Sequence, residues 1–213
     1  MAAKLNRDVI ARAGLDLLDR SGIDGVTLRA LAAELGVKAP TLYWHVESKQ
    51  EIFRAMAVAL SQDAAALMAT TDADAPWQDR LVNWAQALRK SIGMHRDGGR
   101  VFAGTYAVDP ATFHVTEASL RALRDGGFSP AEAARRMVLV RHFIVGFCIE
   151  EQGLAELGNA AGSGEHLTGA DPTQFPLTSQ ALPTVLATSA DERFQLGIHL
   201  LLAHSGHGAP GDA

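Results

Sequence analysis

Cysteine is nearly missing from this chain: Cys148 stands alone among 213 residues. One thiol excludes an intrachain disulfide framework and suits a reducing compartment, so the expected location is cytoplasmic. Long apolar runs are missing too. The longest, Met137 to Ile149, is broken by Arg141 and His142 and is too short to span a bilayer, so no membrane partner is expected. The opening MAAKLNRDVI has basic residues but no apolar core behind them, which does not read as a secretory leader. An excess of positive charge is also absent: the net charge of −5 is not that of a basic nucleic-acid binder. No nucleophile elbow, phosphate loop or metal-ligand spacing occurs, which argues against an enzyme, a cofactor or a bound metal.

What is present is a helix-forming chain with enough apolar material for a sizeable core. Hydrophobic residues make up 47% of it, Ala and Leu dominate, and strand-like alternation is scarce, so the expected fold class is all-α. Charge divides unevenly. Residues 1–60 hold eight Lys and Arg against seven Asp and Glu, a balance of +1; the other 11 and 17 leave −6. That has the sign expected of a DNA-binding head on an acidic body.

The stretch GVTLRALAAELGVKAPTLYWHVESK, residues 25–49, organises the rest. Leu28, Leu31, Ala32 and Leu35 recur at three- and four-residue spacing, the buried stripe of a short helix. Thr27 is placed to cap it and Gly36 to end it. Pro40 then opens a second helix, expected over about 40–46, that hides Leu42 and Val46 and exposes Thr41, Tyr43, Trp44 and His45. Two short helices across a glycine turn, the second carrying exposed aromatic and hydrogen-bonding groups, form a helix-turn-helix pattern with the second as recognition helix.

This segment resembles the DNA-binding module of the TetR family of bacterial transcriptional repressors. The run APTLYWHV followed by Lys49 is most similar to the family's tetracycline-repressor branch. The resemblance implies base contacts from Arg29, Ala39, Pro40 and Tyr43, with Arg29 able to donate two hydrogen bonds to a guanine edge. Phosphate contacts are expected from Thr41, Tyr43, His45 and Lys49, and Thr27, Lys38 and Trp44 complete the expected DNA-binding set. Ala39 replaces a glutamine and Lys38 an acidic residue of that branch, so a different operator sequence is expected with the same docking.

In chain order, a first helix is expected over about 5–20, with Val9, Ile10, Ala13, Leu17 and Leu18 inward and Gly22 placed to end it. Lys4 and Arg7 at its start read equally as phosphate neighbours or as solvated charges. Ser48 to Glu51 form a capping box that opens a fourth helix, with Lys49 beside its N-terminus. TTDADAP, 70–76, is a break; a helix over about 77–94 follows, and the paired glycines of HRDGGRVFAG are expected to break it before a short helix or turn. Asp109-Pro110 starts the next helix, and the Ser129 to Glu132 box opens the longest, to about Leu157. Its centre is apolar nearly all round, as is the last helix, about 189–204, so a partner subunit is expected to cover both in a four-helix interface. Residues 158–183 read as a mobile loop with a short helix near its end, and 205–213 as a disordered tail. The expected domains are a helix-turn-helix head over 1–48 and an effector-binding and dimerisation body over 49–204.

WQDRL, HRDGGRVFAGT and RHFIVGFCIEEQG extend the resemblance into the body. It implies a homodimer that spans a palindromic operator in double-stranded DNA and releases it when a small-molecule effector binds. By position, Thr105, His142 and Glu150 match polar residues that line the family's drug site. Phe102, however, stands where a magnesium-binding histidine is expected, and Trp84, Leu88 and Ser119 replace an asparagine, a phenylalanine and a glutamine. A phenyl ring cannot ligate Mg²⁺, so the expected effector is not tetracycline but a flatter, more apolar or aromatic molecule.

Two other readings stand beside this one: a helical small-molecule carrier, and an acid–base enzyme, each without DNA binding. His142 and Glu150 are eight residues apart, about 12 Å along a helix, and so cannot share a proton. Trp84 and Leu88 also read as ordinary core, Cys148 as inert packing, and His199, His204 and His207 are a weak metal-site pattern, since two of them fall in or beside a glycine-rich tail. Salt-dependent binding to a palindrome separates the regulator from both alternatives.

Overall fold

A computed structural model describes residues 5–68, 74–105, 108–160 and 171–203, and it is helical throughout its regular elements. The head holds α1 (Arg7–Gly25), α2 (Leu28–Glu34) and α3 (Ala39–Tyr43). Next come α4 (Lys49–Met68), α5 (Trp77–Gly93), α6 (Gly98–Phe102), α7 (Pro110–Asp125) and the long α8 (Pro130–Ala160). α9 (Pro176–Ala187) and α10 (Ala190–Leu202) complete the order. The expected tail, 205–213, lies outside the described residues.

Local chemistry sets most boundaries. Asn6 caps α1 by accepting the Val9 N–H at 2.9 Å. Gly22 breaks the regular helix as its sequence suggests: it leaves the helical conformation with φ 68 and ψ 177, and a single further turn past this kink carries α1 to Gly25. Thr27 accepts the Ala30 N–H at 3.1 Å. After α2, Gly36 takes φ 64 while its N–H bonds the Ala33 carbonyl and the Val37 N–H bonds that of Ala32. These paired bonds form a Schellman ending, which needs the left-handed conformation that glycine adopts at little cost. Ser129 with Glu132 and Ser189 with Glu192 close reciprocal capping boxes on α8 and α10. At α4, Glu51 instead accepts the Glu47 N–H at 2.7 Å, one residue upstream of the expected partner.

Two expectations need correction. α5 ends at Gly93 and a short helix follows, as expected, but the paired glycines do not make the break: Gly98 and Gly99 are buried and begin that short helix, α6. A Cβ on Gly98 would stand 2.2 Å from the Ile92 carbonyl oxygen, so these glycines allow α6 to pack close. Within the stretch expected to be a mobile loop, residues 158–160 finish α8; the short helix expected near its end is α9, which starts at Pro176 and runs past the stretch to Ala187, whereas 161–170 lie outside the described residues. α9 buries no side chain and contains Pro183, which removes one of its backbone donors.

α4 is the spine. It packs against α1 on the head side and against α5, α6 and α7 in the body, and α8 closes over α5, α6 and α7. One continuous core runs from Ile10, Leu18 and Leu42 through Ile52 and Leu60 to Leu88, Ile144 and Phe194. α10 docks on α8 through Phe194, which stacks on Phe143 and meets Phe147 edge-on. Arg89 ties three helices together, pairing with Glu151 of α8 and Asp191 of α10 at 2.8 Å while covering the Phe194 ring. Val140, Ile144 and Cys148 face inward on α8. Val138, Leu139 and Leu154 face outward, as do Leu196 and Leu200 on α10, so this chain covers only one side of each apolar helix.

Candidate functional site

α3 is anchored by Leu42 and by Val46 just beyond it, both buried in the head core. It spans Ala39–Tyr43, shorter than the 40–46 read from the sequence. The turn of chain that it and α2 present is open. Arg29, Lys38, Ala39, Pro40 and Thr41 are exposed, Tyr43 is 50% exposed and Trp44 89%. His45 is half-buried. Thr27 is exposed, with its hydroxyl engaged in capping α2. Neither Arg29 nor Lys38 has an ion-pair or hydrogen-bond partner among the described residues, so both charges stay available to an anion. Lys49 is placed differently: its Nζ donates to the Ile23 carbonyl at 3.0 Å and lies 5.3 Å from the centre of the Phe53 ring. That ammonium fastens α4 to the end of α1 and keeps donor capacity for a phosphate.

The head is joined to the body by a polar clamp that sequence reasoning did not find. Asp97, at the N-cap of α6 with φ 56, accepts the Ile23 N–H at 2.9 Å and pairs with Arg100 at 3.1 Å. Asp19 of α1 meets His95 Nδ1 at 2.8 Å and the Arg96 N–H at 2.9 Å. A second link comes from Arg12, 2.6 Å from Asp63 on α4. The hydrogen bond to Asp63, followed by its charge, raises the Arg12 pKa despite partial burial. These bonds span the distance from head to body in sequence, which is why no local pattern announces them. The segment HRDGG was their only sequence trace.

In the body, Trp84, Leu88, Phe102, Thr105 and Ser119 are all buried. Phe102 is capped by the Arg141 guanidinium, 5.1 Å from its ring centre, and Arg141 also donates to the Thr105 carbonyl at 3.1 Å. The Thr105 hydroxyl donates to the Val101 carbonyl and that of Ser119 to the Thr116 carbonyl. Trp84 Nε1 on α5 and Thr112 Oγ1 on α7 are buried without a hydrogen-bond partner among the described residues, an unusual cost for two packed helices. His142 and Glu150 depart from the expected arrangement. Both are exposed on the outer side of α8, the side that carries Val138 and Leu139, and one chain does not bring them to the buried five. The helical period explains this, because residues 138, 142, 146 and 150 recur on one face while 140, 144 and 148 point inward.

Cys148 is buried, and desolvation pushes its thiol up to about 12, so it stays protonated and unreactive. Among the described residues no cluster of three or more His, Cys, Asp or Glu could hold a metal ion. No described helix is long and apolar enough to cross a membrane.

Comparison with known proteins agrees with this geometry. Residues 10–56 match the family described as bacterial regulatory proteins, tetR family, and residues 70–204 match the tetracyclin repressor-like C-terminal domain. The class E tetracycline repressor protein of Escherichia coli is 36% identical over 203 residues, covering 94% of this chain and 90% of the relative. A possible TetR family transcriptional regulator from Streptomyces coelicolor A3(2) superposes with a TM-score of 0.80 at 33% identity, over 92% of this chain and 97% of that one. TetR from Acinetobacter baumannii AYE gives a TM-score of 0.71 at 28% identity, over 94% and 96%. With its helix-turn-helix head and repressor-like helical body, the chain belongs to the TetR family of ligand-responsive, DNA-binding transcription regulators.

Proposed function

We propose that this protein is a repressor that binds a palindromic operator as a homodimer and lets go when a small aromatic or apolar effector, not tetracycline, enters its body. The observation that carries the DNA reading is the surface of α2 and α3. Two unpaired cations, Arg29 and Lys38, flank the exposed Tyr43 and Trp44 there, on a helix too short to serve as core. Arg29 with Ala39, Pro40 and Tyr43 would read base edges; Thr27, Lys38, Thr41, Trp44, His45 and Lys49 would hold the backbone. Two heads at about 34–36 Å separation would meet successive major grooves. The division into a 1–48 head and a 49–204 body is part of this reading, with α4 as the shared lever. Action on operator DNA would place the protein in the bacterial cytoplasm.

The uncovered apolar sides of α8 and α10 favour a second copy as partner: Val138, Leu139, Leu154, Leu196 and Leu200 are all more than 40% exposed. His142 and Glu150 lie on that side, so in this reading they serve subunit contact. Effector binding falls to Trp84, Leu88, Phe102, Thr105 and Ser119. The unpaired Trp84 N–H would suit an acceptor on the effector. A guanidinium above Phe102 opposes a divalent cation at that position, which disfavours a magnesium chelate. A variant of the Acinetobacter repressor is known in complex with minocycline, so the distinction matters within the family. An effector pressing on α6 would act on Asp97 and so on Ile23, and α1 would turn with α4.

The test is a gel-shift against the protein's own upstream DNA at two salt concentrations, with candidate aromatic ligands. Salt-sensitive binding to a short palindrome, released by one compound, is the expected result. Failure to bind either that DNA or a random genomic library would favour the carrier or enzyme reading. Calorimetry with tetracycline and Mg²⁺ tests the effector separately: binding at about micromolar strength would overturn its exclusion.

A further inference from the structure

Between head and body, where α1 lies against α4, the chain forms a groove of about 540 Å³ that shares no residue with the buried set around Trp84. We propose that this groove is a second ligand site, for a small amphiphilic anion: one carboxylate on an aromatic or alkyl body.

The floor supplies the apolar half. Ala11 of α1 and Ala59 of α4 are buried, Ala55 and Val58 are half-buried, and Val46 closes the head end. Small side chains at a helix crossing leave room, and the volume is in the range that ordinary ligand sites occupy. The rim supplies the polar half, and its charges are not equivalent. Each carboxylate is already engaged: Asp8 lies 3.9 Å from Arg12, Glu51 accepts the Glu47 N–H at 2.7 Å, and Asp109 accepts the Ala111 N–H at 2.8 Å. Arg7 and Arg54 line the same groove and have no partner among the described residues. Two free guanidiniums over an apolar floor complement a carboxylate, which Arg can grip with two parallel N–H bonds. The carboxylates spend part of their acceptor capacity on groups of this chain, and a wholly apolar molecule would leave both guanidiniums unused.

Val108, 87% exposed, forms the body-side end of the groove. An occupant would therefore touch α1, α4 and the chain before α7 at once, and its presence would fix the angle between head and body. The site stands whether or not the protein proves to be an operator-binding repressor, since it requires only the groove and its charges.

The test is methyl NMR of the full-length protein labelled at valine and alanine, titrated with 2-naphthoate, with decanoate and with the neutral 2-naphthamide. Saturable shifts at Val46, Val58 and Val108 are expected with both acids. The amide should bind about tenfold more weakly or worse, and the double variant Arg7→Gln/Arg54→Gln should lose about as much for the acids. Both arginines are exposed, so an unchanged melting temperature should accompany that loss; Val58→Glu, which puts a negative charge on the floor, should abolish binding in the same way. Shifts confined to body residues such as Val115 and Val140, no saturable shift at the three valines, or equal binding of acid and amide would each overturn the proposal.

Discussion

Asp97 accepts the backbone N–H of Ile23 at 2.9 Å, across 74 residues of sequence. The acceptor stands at the start of α6 and the donor lies in the last turn of α1, one residue beyond Gly22. This hydrogen bond ties the start of α6 directly to the backbone of the head. Asp97 is also the only non-glycine residue at positive φ among the described residues. Aspartate tolerates that conformation better than most residues, so local backbone and long-range bond favour the same side chain.

Asp97→Ala should cost about 1–3 kcal/mol, from a lost bond to a partly buried amide. Hydrogen exchange at the Ile23 amide should quicken by at least about tenfold, which corresponds to about 1.4 kcal/mol of local opening. Asp97→Asn keeps an acceptor and should change both much less. Unaltered Ile23 exchange in the alanine variant would show that packing alone holds the head.

Features set by neighbours in sequence were legible; features set by distant neighbours were not. Thr27, Gly36, Ser129 and Ser189 act within three or four residues, and their roles could be read from spacing. Leu42 and Val46 followed the helical period into the head core. The clamp from Asp19 to His95 and from Asp97 to Ile23 joins segments more than 70 residues apart and left no periodic trace. The break before α6 is legible, but the role of Gly98 is not: it answers a carbonyl 2.2 Å from where a Cβ would stand, a contact with α5 that a glycine pair does not announce. His142 and Glu150 were assigned by position in a resemblance, and helical phase puts them on the outside. The Arg141 cap over Phe102 also lay beyond reach, because it needs α6 and α8 in register.

Arg29 is exposed and unpaired on α2, which leaves its guanidinium free to fork onto a base. Arg29→Ala should relax specificity at one base pair per half-site, by about 1–3 kcal/mol, without changing preference elsewhere. Lys38→Ala should weaken all sequences alike and reduce the salt dependence by about one phosphate contact per head. Selection from a randomised operator library, repeated at two salt concentrations, separates the two. An Arg29→Ala profile that matches the parent's would remove Arg29 from base reading.

Glu132 and Glu192 both sit below the ordinary glutamate value of 4.5 because they accept hydrogen bonds from their capping serines. For Glu132 the Ser129 hydroxyl contributes most; for Glu192 it is the Ser189 backbone N–H. A carboxylate whose folded pKa is depressed stabilises fully above its unfolded value and loses that contribution as pH falls through the folded one. Acid below about pH 4.5 should therefore fray the starts of α8 and α10. The melting temperature should fall between pH 6 and about pH 3.5, and Glu132→Gln with Glu192→Gln should flatten the decline. A decline as steep in the double variant would assign the acid sensitivity to other carboxylates.

The Cys148 thiol, pushed up to about 12 by burial and by the Glu151 charge, should resist alkylation by iodoacetamide in the folded protein at pH 8 and react after unfolding in guanidinium. Mass spectrometry counts the adduct directly. Rapid labelling of the native protein would mean that α8 opens at this turn far more readily than its packing implies.

Leu196 and Leu200 lie one turn apart on α10, exposed by 59% and 67%, and Val138 and Leu139 are exposed on α8, the helix on which α10 docks. In the proposed homodimer a two-fold interface repeats each residue across the axis, so one glutamate per chain becomes two like charges in an apolar contact. Desolvating them without partners is costly, while in an isolated chain either side chain would simply meet water. Leu196→Glu/Leu200→Glu should therefore shift the sedimenting mass from twice the 22.6 kDa chain mass to that of one chain, without loss of helical signal. Phe194 and Ile198 on the opposite face are buried and should keep α10 docked. Operator affinity should fall with the dimer, because one head contacts only half of a palindrome. A double variant that still sediments as a dimer would move the subunit contact away from α10.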